Sequence, residues 1–233
     1  MDFSSPLLPA IFLRRYQRFL ADLQTADGAV VTAHCANTGS MLGLLTPGAQ
    51  ALLSRADNPQ RKLTHTWEMV RENDSWVGIH TGRTNSIVLQ SIQQGSLPEL
   101  AGYDEVKPEV RIANQGRLDF RLAGNGRPPC FVEVKSVTLR RGDTALFPDA
   151  ITTRGHRHLE ALGALKRQGC RSVLLFVVQR EDCVVFQPAS AIDPAYAATL
   201  RQVVLAGVEV LVYSCEVNPQ AITLRHALPW HLE

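Results

Sequence analysis

Two short segments hold side chains that could do chemistry together. Arg117-Leu118-Asp119-Phe120 is followed by Phe131-Val132-Glu133-Val134-Lys135-Ser136, and Ala123-Gly124-Asn125-Gly126-Arg127-Pro128-Pro129 between them is rich in turn formers. If the flanking strands fold back about Gly126, Asp119 lies opposite Glu133, with Cβ atoms about 4.5–5.5 Å apart. Strand alternation puts Glu133, Lys135 and Arg117 on the same face as Asp119. Two carboxylates among Phe120, Val132 and Val134 repel one another unless a divalent cation sits between them or one keeps its proton. Oxygen-only ligation favours Mg²⁺ or Mn²⁺. Lys135 alongside could position a water or neutralise a phosphate oxygen. Such a group is equipped to hydrolyse a phosphodiester: the cation lowers the pKa of water, and positive charge stabilises the transition state. Asp119, Glu133 and Lys135 are therefore the catalytic candidates, with Asp119 and Glu133 as metal ligands.

The same three residues could form an ordinary cross-strand salt bridge on a surface hairpin. Their setting argues for chemistry: the strands are apolar on the other face, and the surroundings are basic. Residues 107–171 hold thirteen Lys/Arg against six Asp/Glu, a local charge of +7 in a chain whose net charge is only +2. A positive surface around a few carboxylates suits a protein that attracts a phosphate chain and also holds a cation. Glu109 could lie beside Asp119 as a third carboxylate ligand, although a charge after Pro108 also suits plain surface. Asp149, in Phe147-Pro148-Asp149-Ala150, reads as a turn cap. Arg154, Arg157, His158 and Arg167 make one flank of a helix basic, in keeping with phosphate contacts, and His158 also reads as a packed histidine.

The elements that must position these residues divide near residue 82 into segments 1–82 and 83–233. The first segment reads as five short strands: Phe12–Leu23, Ala29–Cys35, Ala49–Ala56 ending at Asp57-Asn58-Pro59, Lys62–Glu72 and Ser75–His80. A small closed barrel accommodates them, and an OB-like fold is the common solution. Residues 1–82 carry seven Lys/Arg and seven Asp/Glu, yet Arg14, Arg15 and Arg18 concentrate on the first strand with Tyr16 and Phe19. Arginines interleaved with aromatics can grip a nucleic-acid strand. His34, Asn37, Thr38 and Ser40 form a polar loop. Beyond residue 82, Asn85 is placed to cap a helix ending at Gly95. Strands Glu109–Ala113, Arg117–Leu122 and Cys130–Leu139 follow, then a helix over Arg154–Gln168 and a buried strand over Ser172–Val178. Cys183–Phe186 is a further strand. Asp193-Pro194 opens a helix that closes at Gly207, before a strand over Val208–Tyr213. The pattern predicts an α/β domain with a mixed central sheet, and an α/β (α+β overall) chain.

Composition narrows the classes. Hydrophobic residues make up 45% and charged residues 20% of 233, enough for a sizeable core. No apolar run reaches the ~18–20 residues of a membrane span. The start lacks a basic segment followed by an apolar one, so no signal peptide is expected. The five cysteines are scattered and odd in number, which suits reduced core residues of a cytoplasmic protein. P-loop, dinucleotide, Gly-x-Ser-x-Gly and His-Glu-x-x-His motifs are missing.

The chain resembles the sugar fermentation stimulation protein A family over essentially its whole length. The resemblance rests on Arg14-Arg15-Tyr16-Gln17-Arg18-Phe19-Leu20-Ala21-Asp22, Thr32-Ala33-His34-Cys35-Ala36-Asn37-Thr38-Gly39-Ser40-Met41 and Arg117-Leu118-Asp119-Phe120. It extends to Val132-Glu133-Val134-Lys135-Ser136-Val137-Thr138-Leu139, Phe147-Pro148-Asp149-Ala150 and Thr153-Arg154-Gly155. Gly116 stands where the family pattern has Ser, and Ile79-His80 where it has Val-Asn; neither touches the candidate triad. The resemblance implies an OB-like barrel followed by a PD-(D/E)XK nuclease-like domain, non-specific DNA binding, and a regulatory role in sugar (maltose) metabolism. An active Mg²⁺-dependent, structure-selective nuclease acting on DNA or RNA is the alternative, and a small-molecule sensor a third. The sequence is compatible with a homo-oligomer.

Overall fold

The computed structural model describes residues 1–56, 58, 60–112 and 116–232; Asp57, Pro59 and Ala113, where two expected strands were to end, lie outside them. The first segment forms six strands: β1 (Leu8–Tyr16), β2 (Leu20–Thr25), β3 (Val30–Cys35), β4 (Gln50–Arg55), β5 (His65–Glu72) and β6 (Ser75–Gly78). Antiparallel pairings join β3, β2, β1, β4 and β5, and a parallel pairing of β3 with β5 closes the barrel. Strand β6 extends β5 outside the closed ring. The barrel is filled from alternate positions of its strands; Phe12 and Trp67 stack there at 4.7 Å between ring centroids.

One expectation changes here. Phe12–Leu23 is a hairpin and not a single strand, because the chain turns back between Tyr16 and Leu20. The turn has no Gly, Pro or Asn to mark it. Gln17 and Arg18 adopt the left-handed conformation themselves, at φ 48° and 63°, which is uncommon for residues with a Cβ. Arg15 stabilises the turn by donating from Nε to the Arg18 carbonyl at 2.9 Å.

The second segment opens with α1 (Thr81–Gln93), five residues earlier than expected, so Asn85 is inside the helix rather than its cap. Strands β7 (Glu105–Ile112), β8 (Gly116–Ala123) and β9 (Cys130–Val137) follow, then the short β10 (Leu139–Arg141) and β11 (Thr144–Phe147), the latter unforeseen. Helix α2 (Thr153–Arg167) is capped by Thr152, whose Oγ1 accepts the Gly155 N–H at 3.0 Å. After it come β12 (Arg171–Val178), β13 (Val185–Pro188), α3 (Pro194–Leu205), β14 (Glu209–Val217) and β15 (Ile222–Ala227). The main sheet has the order β15-β14-β12-β9-β8-β7, with β9, β12 and β14 parallel and antiparallel strands at both edges. Strands β10, β11 and β13 make a smaller sheet. The whole is α/β with a mixed sheet, preceded by an OB-like barrel.

Central β12 is apolar on both faces because both are covered. Val173, Leu175 and Val177 face a core shared with Ile87 and Val88 of α1. Leu174, Phe176 and Val178 face a core shared with Leu159 and Leu162 of α2 and Leu200 of α3.

The two units share this packing. Leu7, Leu52 and Met69 of the barrel enter the core on the α1 side. Arg180, 1% exposed, donates to Glu72 of the barrel, to both carboxylate oxygens of Asp182 and to the Thr138 carbonyl. Gly78 N donates to the Gln179 carbonyl at 3.0 Å, and a Cβ on Gly78 would stand 2.6 Å from Gln179 Oε1. The first residues cross over: Phe3 N bonds Gln220 O and Ile222 N bonds Met1 O, so the N-terminus adds to the edge of the second unit. Among the described residues no helix is long and apolar enough to cross a membrane.

Candidate active site

Strands β8 and β9 pair in the register expected from a turn about Gly126: Phe120 with Val132, Arg121 with Phe131 and Leu122 with Cys130. Pairing stops there, one step short of Asp119 and Glu133. The Val134 N–H is supplied instead by a side chain, since Asp119 Oδ2 accepts it at 2.8 Å. Asp119 Oδ1 accepts from Asn85 Nδ2 of α1, also at 2.8 Å. The strand pleat breaks at the same point: Leu118 packs on the α2–α3 side of the sheet, Phe120 and Leu122 on the α1 side. Level with Asp119 on β7, Glu109 takes a left-handed φ of 55°.

This break moves two expected residues away. Arg117 does not share the cleft; it donates to Glu109 at 2.9 Å on the surface, and both side chains are more than half exposed. Glu109 is thereby held by a surface arginine and not turned toward Asp119. Simple alternation failed because β8 is distorted at Asp119 itself.

Glu133 is 2% exposed and faces the side covered by α2. Its Oε1 receives Lys135 Nζ and His158 Nδ1. Arg154 Nε lies 3.4 Å from His158 Nε2 and Lys135 Nζ 3.1 Å from its Nδ1, so the ring is held between two cations and the Glu133 carboxylate. His158 is thus a buried partner of the site's glutamate and not part of a solvated basic flank. Arg154 lines the cleft; Arg157 points to solvent.

The two carboxylates titrate in opposite directions. Burial, and then the charge of Glu133, raise Asp119 above the ordinary range, against its two hydrogen bonds. Burial also pushes Glu133 upward, but His158 and Lys135 outweigh it and hold the carboxyl below its ordinary value. Paired carboxyls driven apart in this way are a mark of sites that handle charge.

One atom stands out. Glu133 Oε2 is buried and, among the described residues, has no hydrogen-bond partner. A buried carboxylate oxygen left bare is costly, and its residue lines the same cleft as Asp119. The donors are all oxygen, which fits a hard divalent cation. Among the described residues no third His, Cys, Asp or Glu joins them. Mg²⁺ tolerates that, since it keeps several waters and is commonly held by one or two carboxylates plus phosphate oxygens.

The cleft has a volume of about 380 Å³ and lies between the two units. The barrel contributes Arg18 and the Asn37–Gly39 loop, and the α/β unit contributes Lys135, Ser136 and Arg154 beside the carboxylates. Asp149 fastens the two walls: its Oδ2 accepts Met41 N at 2.8 Å, and its carbonyl accepts Ser40 Oγ at 2.6 Å. It caps a loop, as its sequence context suggests, but the loop belongs to the barrel. The approach is close enough that a Cβ on Gly39 would stand 2.7 Å from Asp149 Oδ2.

The three barrel arginines separate. Arg18 lines the cleft. Arg15 is committed to the carbonyls of Arg18, Asn37, Gly39 and Ser40. Arg14 pairs with Asp22 at 2.8 Å and lies over the Tyr16 ring. Asn85 carried no sequence signal for the site, because its role depends on a helix of one unit facing a strand 34 residues away.

Comparison with known proteins supplies the family. Residues 13–79 match the family model described as the SfsA N-terminal OB domain, and residues 82–221 the sugar fermentation stimulation protein RE domain. A sugar fermentation stimulation protein homolog of Geobacter sulfurreducens is 52% identical over 96% of both chains. One from Maricaulis maris is 48% identical over 98% of this chain and 97% of its own. The structure of Pyrococcus furiosus SfsA in complex with Ca²⁺ is similar at a TM-score of 0.90 and 29% identity, covering 99% of this chain and 98% of that one. With both units matched and the relatives spanning nearly its full length, the chain belongs to the sugar fermentation stimulation protein (SfsA) family.

Proposed function

We propose that this protein binds nucleic acid and acts on it as a divalent-metal-dependent phosphodiesterase, with Asp119 and Glu133 holding one Mg²⁺ or Mn²⁺. The observation that carries the reading is the bare, buried Oε2 of Glu133, a residue that lines one cleft with Asp119 and three cations. That the Pyrococcus furiosus relative was solved with Ca²⁺ supports a cation site in the family. When bound, the cation would lower the pKa of a water and shield phosphate charge. The chain's own groups do the rest. Val134 N–H and Asn85 fix the Asp119 carboxylate, while His158 and Lys135 hold Glu133 through Oε1 and, among the described residues, leave Oε2 without a protein donor. The Lys135 ammonium is placed to meet a phosphate oxygen or to position the attacking water.

The positive field of residues 107–171 favours DNA without regard to sequence, with RNA as a second substrate. The relatives' name favours a regulatory role in sugar metabolism, in which binding alone would suffice. A cytoplasmic location fits both readings.

Calorimetric titration with Mn²⁺ tests the site: the parent protein should bind one ion, and Asp119→Ala and Glu133→Ala should each abolish it. Branched, nicked and single-stranded DNA incubated with Mg²⁺ or Mn²⁺ should be cleaved by the parent and not by Lys135→Ala. Equal metal affinity in all three proteins would end the proposal. Metal binding without cleavage of any substrate would leave the DNA-binding regulator.

A further inference from the structure

The turn joining β1 and β2 is built with unusual care for an exposed segment. Gln17 and Arg18 hold left-handed φ values although neither is glycine. Arg15 ties the Arg18 carbonyl, and the Phe19 carbonyl accepts the Cys35 N–H at 2.8 Å. A turn pinned in a disfavoured conformation fixes the backbone from which its side chains project and is a place to look for function. Those side chains are a cation and an aromatic ring. Arg18 lines the cleft. Phe19, the next residue, is 44% exposed and stacks on His34, with centroids 6.4 Å apart and planes 21° from parallel. On the α/β wall of the same cleft Ile151 is 79% exposed. The charged groups of the cleft suit a phosphate, but exposed apolar side chains such as Phe19 and Ile151 have no role in holding a bare one.

From this geometry we infer that Phe19, backed by His34, is a stacking platform for an unpaired base, and that the protein's ligand is a single-stranded or locally unpaired nucleic acid. The inference rests on the phosphodiesterase reading for what lies in the cleft. Arg18 receives the backbone phosphate entering it, and Phe19 takes the face of the neighbouring base. A base in an intact duplex cannot offer that face, because it is already stacked on both sides. Any base has a π-face, so the platform selects for unpairing and not for sequence. The imidazole behind it suits this role: burial and nearby Arg61 push His34 below its ordinary pKa, leaving a flat neutral ring at neutral pH.

The test compares a mixed-sequence DNA 12-mer, its duplex, and a 12-mer of abasic sites that keeps every phosphate and loses every base. Binding is measured by fluorescence anisotropy in EDTA, so that no cleavage occurs. The base-bearing single strand should bind roughly five- to a hundredfold more tightly than the abasic one, the worth of one stacked base. The duplex should bind more weakly than the single strand. Phe19→Ala should bring the base-bearing to abasic ratio close to one, and Phe19→Trp should restore it. A ratio near one in the parent, an unchanged ratio in Phe19→Ala, or no binding of either strand overturns the inference. Glu133→Gln separates it from the reading on which it rests. That variant should lose Mn²⁺ affinity and keep the ratio, so a protein that cleaves but ignores bases sinks only the platform. One that discriminates bases but binds no metal sinks only the phosphodiesterase.

Discussion

Asp119 Oδ2 accepts the Val134 N–H at 2.8 Å, in the gap where β8 and β9 cease to pair. The carboxylate proposed above as a metal ligand also completes the sheet's hydrogen bonding, so the two roles would fall on one side chain. The two roles can be separated. Asp119→Asn keeps an oxygen for Val134 and loses the charge; Asp119→Ala loses both. Both should abolish Mn²⁺ binding, but only the alanine variant should speed exchange of the Val134 amide. Leaving that buried N–H unpaired should cost about 1–3 kcal/mol. Equal exchange in the two variants would show that the hydrogen bond is not what orders this strand.

Much of this site could be read from residue order because it is local. The turn formers between residues 123 and 129 set the β8–β9 register, and the two-residue spacing of Glu133 and Lys135 sets their common face. The apolar run of β12 and the Asp193-Pro194 cap likewise depend on neighbours in the chain. What escaped depends on distant partners. His158 meets Glu133 only because α2 crosses β9, and Asp149 reaches a barrel loop 108 residues away. The Gln17–Arg18 turn escaped because it uses residues that ordinarily avoid its conformation.

Arg180 joins the units through a charge cluster in which it is almost wholly buried, with Glu72 on the barrel side and Asp182 beside it. Arg180→Met removes the buried cation between two carboxylates and, among the described residues, leaves them only Arg140, 3.7 Å from Glu72 and 3.3 Å from Asp182. Breaking a buried pair costs about 3–5 kcal/mol, and Arg140 should hold the loss to the lower end of that range. Urea unfolding should show this loss, and Glu72→Gln should cost less because Asp182 still faces the guanidinium. A loss under about 1 kcal/mol for Arg180→Met would mean that the apolar part of the interface holds the units alone.

Asp193 caps α3 through the Tyr196 N–H at 2.8 Å and also accepts the Thr152 N–H at 3.0 Å, linking the starts of two helices. Burial alone would raise its pKa, but these bonds and His156 hold it below the ordinary carboxyl value. A depressed folded pKa gives stability that is complete above the unfolded value of about 3.9 and lost as pH falls through the folded one. Asp193→Asn should therefore cost about 1 kcal/mol at pH 7, the difference between a charged and a neutral acceptor. That difference from the parent should shrink as the pH drops below about 4. A difference independent of pH would assign the effect to cap geometry and not to charge.

The three barrel arginines, alike in sequence, should behave differently on nucleic acid. Arg18 lines the cleft, and among the described residues its guanidinium has no hydrogen-bond partner, which suits it to a phosphate. Arg18→Ala should lower affinity for single-stranded DNA and reduce the slope of log K against log salt by about 0.7, the value of one phosphate on a single strand. Arg14 is already neutralised by Asp22, so Arg14→Ala should move the slope less. Arg15 holds four loop carbonyls; Arg15→Ala should lower the melting temperature and weaken binding indirectly, by releasing the turn that carries Arg18 and Phe19. Mn²⁺ affinity should stay unchanged in Arg14→Ala and Arg18→Ala, because neither side chain touches Asp119 or Glu133. Equal salt slopes for Arg18→Ala and the parent would remove Arg18 from the nucleic-acid path and leave the barrel's part in binding to its aromatic ring.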